Sequence, residues 1–158
     1  MQYTSARFGR VFVIRLEDGD VLHECVENLA REEGITHGVC FFLGGADGTS
    51  RLVVGPEDGH AARIVPMTLS LGDVHEAAAV GTLIPDDSGN GVLHMHGVFG
   101  RKDQTRAGCV RAGVDVWLVG EVVLMELTEC TARRLRDPDT GFQLLEAGSG
   151  DGQPDGNR

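Results

Sequence analysis

Seven consecutive turn formers, Pro85-Asp86-Asp87-Ser88-Gly89-Asn90-Gly91, stand between two apolar runs. Gly, Pro, Asn, Asp and Ser each favour chain reversal for a separate physical reason, so this stretch reads as a loop. The runs on either side, Val74–Ile84 and Gly91–Phe99, are strand-like, and a loop of this kind joins them as an antiparallel hairpin. Two histidines, His94 and His96, fall at i and i+2 in the second run. Side chains alternate along a strand, so both imidazoles share one face. At a separation of about 6–7 Å they can converge on one metal ion, but two ligands do not make a site, and a pair of polar residues on a solvated or subunit-facing strand is the plainer reading of the pair alone.

A direct hairpin pairs residues whose numbers sum to about 175. His94 then faces Gly81 and His96 faces Ala79. Glycine at 81 leaves room for an ion or ligand, or for close strand packing. His75 lies on the same face beyond Phe99, roughly 13 Å from His96, a reach that suits a site shared between subunits better than one within a chain. Glu76 points to the other face.

The rest of the chain is mostly β. Phe8–Leu16 reads as a strand broken by Asp18-Gly19. Asp20 is a fit N-cap for a helix carrying Val21, Leu22, Cys25, Val26, Leu29 and Ala30 at helical spacing, with Gly34 as its C′ residue. Further strands are expected over 36–43, 51–54 and 62–71, with Gly72-Asp73 as a tight turn into Val74. The longest apolar run, Val114–Leu127, carries Glu121 in its middle. Asp137-Pro138-Asp139-Thr140-Gly141 is another turn. This predicts an α+β fold, a mostly antiparallel sheet of about seven strands with one main helix. A single domain over 1–147 is expected, followed by a disordered polar tail over 148–158.

The formal net charge of -10 repels phosphate backbones and argues against DNA as partner. The best basic clusters are Arg101, Lys102, Arg106 and Arg111, and Arg133, Arg134 and Arg136. No stretch reaches the roughly 18 apolar residues of a membrane span, and the opening residues lack the apolar core of a signal peptide. Cys25, Cys40, Cys109 and Cys130 lie far apart with no CxxC pair, which fits a reduced, cytoplasmic compartment. A carboxylate at 121 within an apolar strand needs a partner. Arg10, Arg15, Arg111 or a metal-bound histidine that it orients would serve. His23, His37 and His60 read as surface residues.

Several features occur in order: a helix ending Gly34-Ile35, a strand ending Leu43-Gly44-Gly45-Ala46, His94-Met95-His96, Ala107-Gly108-Cys109-Val110, and the strand bearing Glu121. Together, over roughly 5–145, they resemble the PPC domain, the plants-and-prokaryotes conserved domain, in its stand-alone prokaryotic form. Asp139-Thr140-Gly141-Phe142 is similar to a short C-terminal motif of prokaryotic members.

The resemblance implies a homotrimer, to which the long 114–127 strand adds apolar surface, and a metal site completed by a histidine after the HxH pair. Cys109 stands at that position. A thiolate is a good zinc ligand, so the departure points to a divalent transition metal, zinc foremost, held by His94, His96 and Cys109. A small-molecule ligand near that site is expected, with Arg111, Gly81 and Glu121 as ligand-binding or ligand-orienting residues; a small buried cysteine between glycines is the alternative reading of Cys109. The family's DNA-binding label is carried by association, because this sequence has no Arg-Gly-Arg-Pro hook. Cupins also use HxH, but Phe99 and Gly100 stand where a cupin places its glutamate. No nucleophile–base pair or phosphate loop marks a reaction, so none is named.

Overall fold

The computed structural model describes residues 1–61 and 64–148. Its strands are β1 (Arg7–Glu17), β2 (Gly38–Ala46), β3 (Arg51–Pro56), β4 (Pro66–Ser70), β5 (His75–Pro85), β6 (Gly91–Arg101), β7 (Gln104–Cys109), β8 (Val116–Thr128), β9 (Arg133–Arg136) and β10 (Gln143–Glu146). The first eight form one sheet in the order β1-β8-β2-β5-β6-β7-β3-β4, and β9 pairs with β10. Each pairing is antiparallel, and α1 (Leu22–Glu32) is the one α-helix among the described residues, so the α+β class and the mostly antiparallel sheet are as the sequence implies.

Hydrophobic periodicity explains the layering. In α1, Leu22, Val26 and Ala30 recur every fourth residue and are buried. They join Phe42, Leu83, Met95, Phe99 and Leu124 in the core on one face of the sheet. The helix starts differently from the expectation. Val21 occupies the N-cap with no side-chain cap, and the Leu22 N–H donates to the Val114 carbonyl instead. Asp20 closes the preceding turn by accepting the Glu17 N–H at 2.8 Å. Gly34 does follow the helix, with φ +70°.

Two further expectations change. β4 pairs with β3 rather than with β5, so Gly72-Asp73 is no hairpin turn; the Gly72 N–H donates to the Gly48 carbonyl. Residues 62 and 63 of the expected 62–71 strand, and residues 149–158 of the expected tail, lie outside the described residues.

The β5–β6 hairpin forms across the 85–91 loop, but its register is one residue from the expectation: Thr82 faces His94, Val80 faces His96, and Gly81 faces Met95. A slip of one residue moves every side chain of a strand to the other face. Gly81 therefore lies on the core face, where an added Cβ would meet Met95 Cβ at 2.6 Å and the His94 carbonyl oxygen at 2.8 Å. Glycine is required there by close strand packing, not by a ligand. Gly81→Ala is expected to destabilise the fold by ~1–3 kcal/mol through overpacking, read as a lower urea midpoint with unchanged slope.

The opposite face of the sheet is open. The registers place Val13, Val123, Phe41, Val80, His96 and Cys109 in one row across β1, β8, β2, β5, β6 and β7. Several of its members are apolar yet exposed, Val13 at 83% and Val80 at 55%. The row runs through the histidine strand to Cys109 on β7.

Candidate metal centre

Along β6, Leu93, Met95, Gly97 and Phe99 are buried while His94, His96 and Val98 face outward, the alternation of a half-buried strand. The chain reverses at Lys102, held at φ +55°, and β7 returns beside β6. Cys109, the last residue of β7, sits directly across from His96. The sequence thus places two imidazoles on one face, and the β6–β7 turn brings the thiol to them.

His94 Nε2 and His96 Nε2 lie 3.1 Å apart, with the rings edge to face at 85°. The ligand atoms of His94, His96 and Cys109 all lie within 4.8 Å of one another. Zinc–nitrogen bonds of 2.0–2.1 Å at the tetrahedral angle put two nitrogens ~3.3 Å apart, so the spacing fits a shared ion. Burial pushes the His94 imidazole below its ordinary value, and the charges of Arg134, His96 and Arg111 push it the same way. A lowered value keeps the ring neutral at physiological pH, with its lone pair free for a metal. Protons then compete with a metal for His94 only as pH falls below the usual imidazole range.

The remaining residues singled out from sequence are placed differently. His75 is buried on the core face, its Nδ1 2.8 Å from the Asp73 carbonyl oxygen, and is not among the converging ligand atoms. The register slip that moved Gly81 also turned His75 inward and Glu76 outward. Glu121 is exposed rather than buried, opposite Arg15 on β1 and Leu43 on β2. Three strand spacings, ~14 Å, separate its strand from β6, so it cannot orient a histidine there. Arg111 does reach the site, lining a cavity beside His94.

Sequence reasoning missed Arg134 as a site residue, reading it as part of a basic cluster. It is only 7% exposed, and its Nη2 donates to Thr82 Oγ1 at 3.0 Å, next to His94. No local pattern marks it, because it arrives on the separate β9–β10 hairpin. His23, expected at the surface, also lines the cavity and has a buried Nδ1. The basic clusters are partly used up inside the fold. Arg101 pairs with Asp73 and donates to the Val74 carbonyl, and Arg106 donates to the Ser70 carbonyl.

Solved structures with this fold include the metal-containing protein from Archaeoglobus fulgidus, with 22% identity over 92% of this chain and 99% of that one at a TM-score of 0.78. A plant- and prokaryote-conserved protein from Pyrococcus horikoshii matches at 21% identity over 92% and 97% of the two chains, with a TM-score of 0.77. A protein from Bacteroides thetaiotaomicron, provisionally described as DNA-binding, matches at 17% identity over 90% and 97%, with a TM-score of 0.70. Among proteins with curated descriptions, none matches this sequence. No described helix is long and apolar enough to cross a membrane. Residues 3–128 match the Plants and Prokaryotes Conserved (PCC) domain, and the chain belongs to that family.

Proposed function

We propose that this protein binds one zinc ion per subunit through His94 Nε2, His96 Nε2 and the Cys109 thiolate. The convergence of these three ligand atoms within 4.8 Å carries the reading. Three protein ligands leave a fourth tetrahedral position for water or a bound molecule, the arrangement of catalytic rather than structural zinc sites. Zinc held this way polarises a ligand oxygen or acidifies a bound water. A nitrogen–sulfur donor set disfavours magnesium and calcium, which take oxygen ligands. The metal-containing relative from Archaeoglobus fulgidus supports the reading through a shared fold.

Metal analysis of the purified protein tests it. After chelation and reloading, zinc is expected to return to about one ion per chain, while equal magnesium or calcium is not retained. A chain that holds no transition metal after reloading ends the proposal.

The same reading includes a homotrimer in a reducing, cytoplasmic setting. Cys25, Cys40, Cys109 and Cys130 are free thiols. The open row of Val13, Phe41 and Val80 is an apolar sheet face of the kind that a second copy of the chain covers. A shallow apolar depression of about 400 Å³ between Phe41, Leu43, Val80, Val98 and His96 adjoins the metal ligands. The trimeric number itself comes from the family resemblance.

DNA binding is disfavoured. The chain carries a net charge of -10, Arg101 and Arg106 are engaged within the fold, and Arg134 is buried. A gel-shift series at physiological salt is expected to show no complex at micromolar protein. A salt-dependent shift there reverses this.

A further inference from the structure

Beside the three ligands lies a second feature with its own chemistry. β7 ends opposite His96, so Val92–His94 have no strand on that side of β6. The Leu93 N–H points into the gap and is satisfied by Glu27 Oε1 at 2.8 Å. The gap opens into a cavity of about 500 Å³, walled on one side by α1 with His23 and Glu27 and on the other by Arg134 and Phe142. That volume lies within the range of small-molecule sites.

Among the described residues, two buried side-chain nitrogen or oxygen atoms lack a hydrogen-bond partner, His23 Nδ1 and Arg134 Nε. Both residues line this one cavity. A guanidinium taken out of water is costly unless it is paired. Yet no carboxylate forms an ion pair with Arg134 among the described residues. Arg111 stands at the same cavity, its guanidinium carbon 6.0 Å from the Phe142 ring centre. Two arginines therefore face one glutamate, which is already engaged, in a chain whose overall charge is strongly negative. Val92, Leu144 and Phe142 make the remaining wall apolar.

We propose that this cavity binds a small organic oxyanion, a carboxylate or a phosphate monoester with an apolar body, its oxygens held by Arg134 and Arg111. Arg134, tethered to Thr82 through Nη2, supplies the positive charge at the cavity wall, and a guanidinium matches planar oxyanions well. Phe142 with Leu144 covers the apolar body. Arg134, Phe142 and Leu144 come from the β9–β10 hairpin, which lies beyond the family segment 3–128. The proposal shares His94 with the zinc reading but needs no ion for the arginine contacts.

Calorimetry on the full chain, both chelator-treated and zinc-loaded, tests it with benzoate, phenyl phosphate and benzyl alcohol as probes. Benzoate or phenyl phosphate is expected to bind the chelator-treated protein, and whichever binds more tightly identifies the head group. Benzyl alcohol, which lacks the charge, is expected not to bind. Arg134→Met is expected to weaken anion binding by about tenfold or more, as loss of a charged hydrogen bond does. Arg111→Met and Phe142→Ala provide the same readout should Arg134→Met fail to fold. His96→Ala lies outside the cavity lining and is expected to lose zinc while keeping the anion, which separates failure of one reading from failure of the other. Neither anion binding, benzyl alcohol binding as tightly, or affinity indifferent to the arginine substitutions would overturn the proposal.

Discussion

Zinc bound per subunit is expected to fall from about one to near zero when His96 is replaced by alanine. The free energy of zinc binding is spread over few ligands, so losing one of three protein donors weakens affinity by about 10²–10³-fold. His94→Ala and Cys109→Ser are expected to act in the same direction. His94 and His96 face outward, so their removal leaves Met95 and Phe99 packed and the melting temperature of the metal-free protein nearly unchanged. Cys109 is buried, and its substitution needs that thermal control. Cys109→His is the informative complement. It supplies a third imidazole, so zinc is expected to be retained, while the thiolate-to-metal absorption of the cobalt-substituted protein disappears. Unchanged zinc content in His96→Ala would remove the site from consideration, whatever the wild-type protein holds.

Phe41→Asp is expected to convert the proposed trimer to a single chain of 16.9 kDa, measured by light scattering or sedimentation at micromolar concentration. Phe41 sits mid-sheet on the open face, between Val123 and Val80. Its neighbour Phe42 points into the core and is 1% exposed. The substitution therefore puts a carboxylate into the proposed interface without touching the monomer's packing. Burying an unpaired carboxylate there costs several kcal/mol at each copy of the interface. Because His94, His96 and Cys109 already converge within a single chain, the dissociated protein is expected to keep its zinc. A wild-type protein that is monomeric at micromolar concentration, or a Phe41→Asp variant of unchanged mass, contradicts the assembly.

How far the site was legible in the chain depends on the range of the interactions that build it. His94 and His96 share a face because strand periodicity is a local property, so two ligands could be read directly. Cys109 entered through family resemblance, and the β6–β7 turn at Lys102 places it opposite His96. The positions assigned to Gly81, His75 and Glu76 rested on counting pairs across a seven-residue loop. Turn composition announces such a loop without setting its register, and an error of one residue inverted all three. The apolar neighbours of Glu121 in the sequence imply burial. One face of β8 is open instead, and there apolar and charged residues lie side by side.

The local chemistry of this chain determined the β5–β6 hairpin, the helix α1, the antiparallel character of the sheet and the shared face of His94 and His96. Turn residues and hydrophobic periodicity act over a few positions and do not depend on distant segments. Tertiary structure alone decided which sheet face is buried, which residue stands opposite which, and that Arg134, Arg111 and His23 meet at one cavity beside His94. Those outcomes follow from how separate elements pack: α1 packs on one face of the sheet, and a hairpin far along the chain supplies one wall of the cavity beside β6.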